Sequence, residues 1–147
     1  MQAFYSEAIL ISKQNVEAVR RGLDAYQRED FDSWLATIDP SIEWQAVAID
    51  RVAEGAEGVY RGHEGMRRLW HFLRVEFDVT LVETQELRDV GDDRIVLLGR
   101  FRIRGPSSGI VFESPVGYVF TVRDGKLVGA VDYLSHEEAL KAVGLQE

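Results

Sequence analysis

The sequence has no cysteine, which removes disulfides, thiolate nucleophiles and cysteine-based zinc sites together. Histidine is nearly as scarce. His63, His71 and His136 show no metal-ligand spacing with one another, and the pairing of His71 with Glu76 on one predicted helix reads as surface chemistry, so no metal is expected. Basic residues are outnumbered, 17 Lys and Arg against 25 Asp and Glu, for a net charge of -8. That balance argues against a nucleic-acid partner or an anionic membrane surface, and only the short run Arg100, Arg102, Arg104 runs the other way. Long apolar runs are missing as well. The longest near the N-terminus is Ala8 to Ile11, too short for a secretory core or a membrane span, and a cytoplasmic location is expected. A glycine-rich phosphate loop and a serine or threonine nucleophile constellation are also absent, so no cofactor is expected.

What is present is ordinary for one globular domain. The 147 residues, 46% hydrophobic and 29% charged without repeats, suit a single domain over residues 1–147 with one core. Helical periodicity predicts a helix from a Ser12 cap to about Gln27, on Val16, Val19, Leu23 and Tyr26. A short second helix follows, capped by Asp30, striped by Phe31, Trp34, Leu35 and Ile38, and ended by Pro40. Residues 41–47 alternate as a strand, with Ile42, Trp44 and Ala46 on one side. Residues 49–59 read as a loop, a candidate rim or lid. A third helix opens at Tyr60 with Met66, Leu69, Trp70, Leu73 and Phe77 as its stripe, and four strands follow. Pro115 is expected to bend the third of these, and Ser135 with Glu138 has the spacing of a capping box for a last helix.

The last two strands carry the main lead. Val116, Tyr118, Phe120 and Val122 share one face, and Asp124-Gly125 supplies the positive φ angles of a tight hairpin. On the returning strand Val128, Ala130, Asp132 and Leu134 share a face. If that face is interior, Asp132 is a carboxylate in an apolar space, costing several kcal/mol unless it is paired or functional. Either it is a chemical group, or it accepts a hydrogen bond from Tyr26, Tyr60 or Trp44, or it sits at a wet mouth. Its pKa is expected above that of a free Asp, and its removal is expected to leave stability unchanged or higher.

Tyr60-x-Gly62-x-x-Gly65, Asp124-Gly125-Lys126-Leu127-Val128, and Asp132-Tyr133 before Glu138-Ala139-Leu140 together resemble the nuclear-transport-factor-2-like superfamily, in its branch of SnoaL-like polyketide cyclases and ketosteroid isomerases. The resemblance runs from about Gln14 to Leu145. It implies an α+β cone: a strongly curved, mostly antiparallel sheet wrapped around three N-terminal helices, with a deep apolar pocket. It also implies a homodimer through the outer sheet face, where Val96, Leu98 and Val119 would find a partner, with Arg100 and Arg102 at the interface or rim. As a solvated face, the two arginines would need no partner at all.

The residue types then decide which chemistry survives. Ketosteroid isomerases place a Tyr, an Asp base and a protonated Asp at positions that fall here near Gly22, Trp44 and Tyr118, so two of the three groups are missing. Limonene epoxide hydrolases share the Asp132-Tyr133 pair but need an Arg and an Asp on the strand that here carries Gly99 and Phe101. One pocket carboxylate remains, as in the SnoaL-like cyclases. The expectation is cofactor-free acid/base chemistry by Asp132 with Tyr118 as orienting donor, on a small apolar or aromatic molecule held by Trp44, Tyr26, Tyr60, Leu97, Phe101 and Phe120. The alternative is a noncatalytic binder using the same pocket.

Overall fold

A computed structural model of the chain describes residues 2–52 and 55–145. Its order is α1 (Gln2–Gln27), α2 (Phe31–Ala36), β1 (Ile38–Gln45), α3 (Val47–Val52), β2 (Val59–Arg61), α4 (Gly62–Trp70) with a π-helical turn His71–Glu76, β3 (Asp78–Gly91), β4 (Arg94–Arg104), β5 (Val111–Arg123), β6 (Lys126–Tyr133) and α5 (His136–Ala142). The six strands form one open sheet in the order β2-β1-β6-β5-β4-β3, antiparallel throughout except for β1 beside β6. This is the expected α+β architecture. The sheet curves around the helices, and three register shifts in β3, between Leu81 and Glu83, Thr84 and Glu86, and Asp89 and Gly91, are the bulges that bend a strand.

Helices α1, α2 and α4 fill the concave side. Ala18, Val19 and Ala25, Trp34 and Leu35, and Met66 and Leu69 pack there against Ile95, Leu97, Phe101, Val116, Phe120 and Val122 of the sheet. Two of the hairpins, β5–β6 and β3–β4, turn on left-handed residue pairs: Asp124 and Gly125 stand at φ 51° and 77°, and Asp92 and Asp93 at 55° and 61°, as a tight two-residue loop requires. Asp30 caps α2 by accepting from the Ser33 N–H at 3.1 Å, and Ser135 caps α5 by accepting from that of Glu138 at 3.0 Å.

Several boundaries differ from the expectation. Ser12 lies inside α1 and caps nothing, because the helix begins ten residues earlier. Pro40 lies inside β1, and Ile38, expected in the second helix, begins that strand. The expected loop over 49–59 holds most of α3, and Tyr60 sits in β2 instead of opening α4. Pro115 causes no register break: β4 pairs through it without interruption, and β6 has already ended at the Gly117–Tyr133 pair.

One difference changes the reading of the outer face. Helix α5 crosses the convex side of the sheet, where Ala139 and Leu140 pack with Val96, Leu98 and Val119 in a second small core. The apolar face on which the expectation of a second copy rested is therefore covered by the chain itself, with Val96 0% exposed. Arg100 and Arg102 pair with Glu113 at 3.7 and 3.1 Å. Gly117 makes the contact with α5 feasible, since a Cβ there would lie 2.4 Å from the Ala139 Cβ. Gly117→Val is expected to cost about 1–3 kcal/mol as an overpacked core contact. Urea unfolding checks it, and an unchanged midpoint would mean that α5 does not lie here.

Candidate functional site: a buried carboxylate in an aromatic cavity

Asp132 and Tyr118 are register partners on β6 and β5, so their side chains rise from the same face, with Cβ atoms about 5 Å apart by ladder geometry. That face is concave. Both line one cavity of about 70 Å³ between the sheet and α1. Strand alternation puts Ala130 and Asp132 on this face, but not the residue that completes the set. A register shift between Thr121 and Val122 places Val122 opposite Leu127 and leaves Val128 as the extra residue of a bulge. Leu127 therefore joins Ala130 and Asp132 on the inward face; Val128, expected there, does not share it.

Asp132 is 0% exposed. Its Oδ2 accepts from the Trp44 indole N–H at 3.0 Å and its Oδ1 from the backbone N–H of Ala48 at 2.6 Å, with a further backbone bond from Ile49. The carboxylate thus ties the start of α3 to the sheet. Of the expected donors, Trp44 is the one used. Burial pushes the Asp132 pKa up to about 6, against the three hydrogen bonds, which favour the ionised form and lower it.

Tyr118 makes no hydrogen bond with another described residue, and burial, then the nearby Asp132 charge, pushes its hydroxyl well above the ordinary value. Its ring stacks on Phe120 at 5.4 Å, and Trp44 stands at steep angles to both, 79° and 75°. Tyr26 closes the other side. Its hydroxyl donates to the Val79 carbonyl at 2.6 Å and the Arg74 guanidinium lies 4.9 Å over its ring, so it is a fixed wall. Among the described residues no Lys, Arg or His lines the cavity.

Of the residues expected around the ligand, Tyr26, Trp44, Phe101, Tyr118, Phe120 and Asp132 line this space. Tyr60 and Leu97 do not. Tyr60 lies on the edge strand β2, where its hydroxyl accepts from the Glu57 N–H at 3.0 Å and its ring borders a separate surface groove. Leu97 faces inward but is packed wholly in the core without reaching the cavity. Trp34, read from the sequence as core, is part of the wall, and the Ala48 and Ile49 backbone donors carry no sequence signal at all.

Comparison with known proteins now decides the family. Residues 19–130 match the SnoaL-like domain. The chain belongs to the SnoaL-like domain family. No curated protein matches the sequence. Among solved structures, TerC co-crystallised with polyporic acid is 20% identical with a TM-score of 0.71, covering 89% of this chain and 98% of its own. An NTF2-like protein of unknown function from Burkholderia pseudomallei is 21% identical with a TM-score of 0.71, over 88% and 97%. An LEH-like epoxide hydrolase from M. tuberculosis is 18% identical with a TM-score of 0.67, over 90% of each chain. At these identities the likeness is one of fold.

Two sets of groups weighed from the resemblance are missing from this SnoaL-like domain. Gly22, Trp44 and Tyr118, near which the resemblance puts the isomerase groups, all line the cavity, with a glycine and an indole at two of them. At Gly99 no side chain fits, because a Cβ would lie 2.3 Å from the Glu83 carbonyl oxygen of the bulged β3. Phe101 fills the neighbouring position. No helix among the described residues is long and apolar enough to cross a membrane.

Proposed function

We propose that this SnoaL-like domain binds a small apolar or aromatic molecule in the cavity and acts on it, without a cofactor and in the cytoplasm, by acid/base chemistry through Asp132. The observation that carries the reading is the pairing of Asp132 with Tyr118, two polar groups opposed on adjacent strands inside an otherwise apolar space. A carboxylate with a pKa of about 6 exchanges protons near neutral pH, which suits a general acid or base. A carboxylate has about four acceptor positions; three are taken here, and one remains for a proton. Tyr118, with its proton held firmly, is suited to donate to a substrate carbonyl.

The test is proton NMR in D2O with a panel of small cyclic and aromatic ketones, watching exchange of the C–H next to the carbonyl. Exchange above background is expected for at least one compound, and Tyr118→Phe is expected to slow it about 10- to 100-fold as one hydrogen bond to the developing charge is lost. Saturable binding throughout the panel without exchange would favour the noncatalytic binder. That reading also has an observation behind it: Asp132 holds α3 through the Ala48 and Ile49 N–H groups and β1 through Trp44, a purely structural use of its acceptors.

A further inference from the structure

We propose that the ligand site continues past Leu23 into the groove between α1 and β3, where it takes an uncharged polar tail on a ligand whose apolar head fills the cavity. The proposal rests on the reading of the cavity as a ligand site and adds the chemistry of the rest of the ligand. Size is the first argument. A cavity of about 150 Å³ holds a benzene ring, so one of about 70 Å³ has room for roughly three carbons, and the remainder of any larger ligand must leave through the wall. At Leu23 that wall is a single residue. Half-buried on α1, Leu23 lines the cavity on one side and a groove of about 470 Å³ on the other. Its neighbour Tyr26 is fixed by the bond to Val79, whereas a leucine held by packing alone turns between rotamers without movement of the backbone.

The far side of the groove is the bulged edge strand. Its register shifts between Leu81 and Glu83 and between Thr84 and Glu86, and the second shift leaves Gln85 as an extra residue, exposed and out of the ladder. The polar groups along the groove say what the tail is. Its charges are already matched: Arg20 with Glu17 at 3.7 Å, Asp24 with Arg28 at 2.9 Å, and Glu86 with Arg88 at 3.3 Å. The neutral groups are the Thr84 hydroxyl and the amides of Gln27 and Gln85, which both donate and accept. A hydroxyl or amide tail finds partners of either kind there, whereas a carboxylate tail meets Asp24 and Glu86 on a chain of net charge -8.

The experiment is titration of the whole nitrogen-labelled protein, followed by proton–nitrogen NMR, with N-hydroxyethyl isobutyramide, which joins an isopropyl head to an amide and hydroxyl tail. N-isobutyrylglycine carries the same head on a carboxylate tail, N-hydroxyethyl acetamide carries the same tail on a methyl head, and xenon reports the cavity alone. The isobutyramide is expected to bind saturably and to shift the backbone amides of Thr84 to Leu87 together with those of Tyr118 and Asp132. Its affinity is expected to exceed that of isobutyrylglycine by at least about fivefold and that of the acetamide by about tenfold, the worth of two methyl groups taken from water. Leu23→Trp, which fills the passage, is expected to remove most of the binding. Gln85→Ala, on the exposed strand and away from the cavity, is expected to weaken it about two- to tenfold as one hydrogen bond is lost. Equal affinity for the two tails, shifts that never reach residues 84–87, or unchanged affinity in either variant would each overturn the proposal. A wild type that takes up xenon and exchanges ketone protons yet ignores the isobutyramide would overturn it alone, whereas exclusion of xenon and of both amides would sink the cavity reading with it.

Discussion

Asp132→Asn is expected to lower turnover of any substrate that exchanges protons in this cavity by roughly 10²–10⁴-fold, the range that a positioned acid or base contributes. The amide keeps the shape of the carboxyl group but can neither take nor return a proton near neutral pH. Its effect on stability is the more informative half. From sequence alone the substitution should be neutral or stabilising, because it removes a buried charge. The hydrogen bonds change that balance. Asn offers one carbonyl oxygen to three donors: turning its NH2 toward the start of α3 leaves two of them unpaired, and turning it toward Trp44, the smaller loss, leaves that one donor unpaired. That loss costs about 1–3 kcal/mol, against a comparable relief from not burying the charge. A small net change at neutral pH is therefore expected, together with a large loss of turnover. Kinetics and urea unfolding on the same preparation check both. Full turnover with a loss of about 2 kcal/mol or more would make Asp132 a structural acceptor that anchors α3, and the proposed chemistry would be wrong.

How far the sequence could be read depended on whether the signal was local. The β5–β6 hairpin was legible because alternation and Asp124-Gly125 both act within a few residues. The inward set on β6 was half legible: Ala130 and Asp132 face the core as alternation demands, but the bulge at Val128 exchanges it for Leu127, and nothing local announces a bulge. Tyr60 was expected to hold the ligand from the start of the third helix, whereas it lies on the short edge strand β2 beside a separate groove. The apolar outer face was correctly recognised as needing cover, but the cover comes from α5, a contact between elements some 20 to 40 residues apart that periodicity cannot report. The same holds at Asp132. The buried acid was visible in the pattern, while its backbone donors at Ala48 and Ile49 exist only because β1 lies parallel to β6.

The difference in stability between wild type and Asp132→Asn is expected to shift by roughly 2 kcal/mol between pH 4 and pH 7.5, against the wild type. The sign follows from proton counting. Burial raises the Asp132 pKa from 3.8 to about 6 in the folded protein. Well below the lower value the group is protonated in both states and contributes no pH dependence. Between the two values the unfolded chain releases the proton while the folded protein keeps it, so stability falls as pH rises. Above about 6 both states are ionised and the full cost of the buried charge is present. Asp30 and Asp39 act in the opposite sense: hydrogen bonds from Ser33 and Ser41 hold their pKa values down, so they contribute stability that is lost as pH falls through the acid range. Those two groups are present in both proteins, and the difference curve cancels them. Urea midpoints and slopes for the pair at about one-pH intervals supply the curve. A flat difference across this range would mean that Asp132 ionises as easily inside the fold as outside it, leaving neither a poised acid nor an uncompensated charge in the cavity.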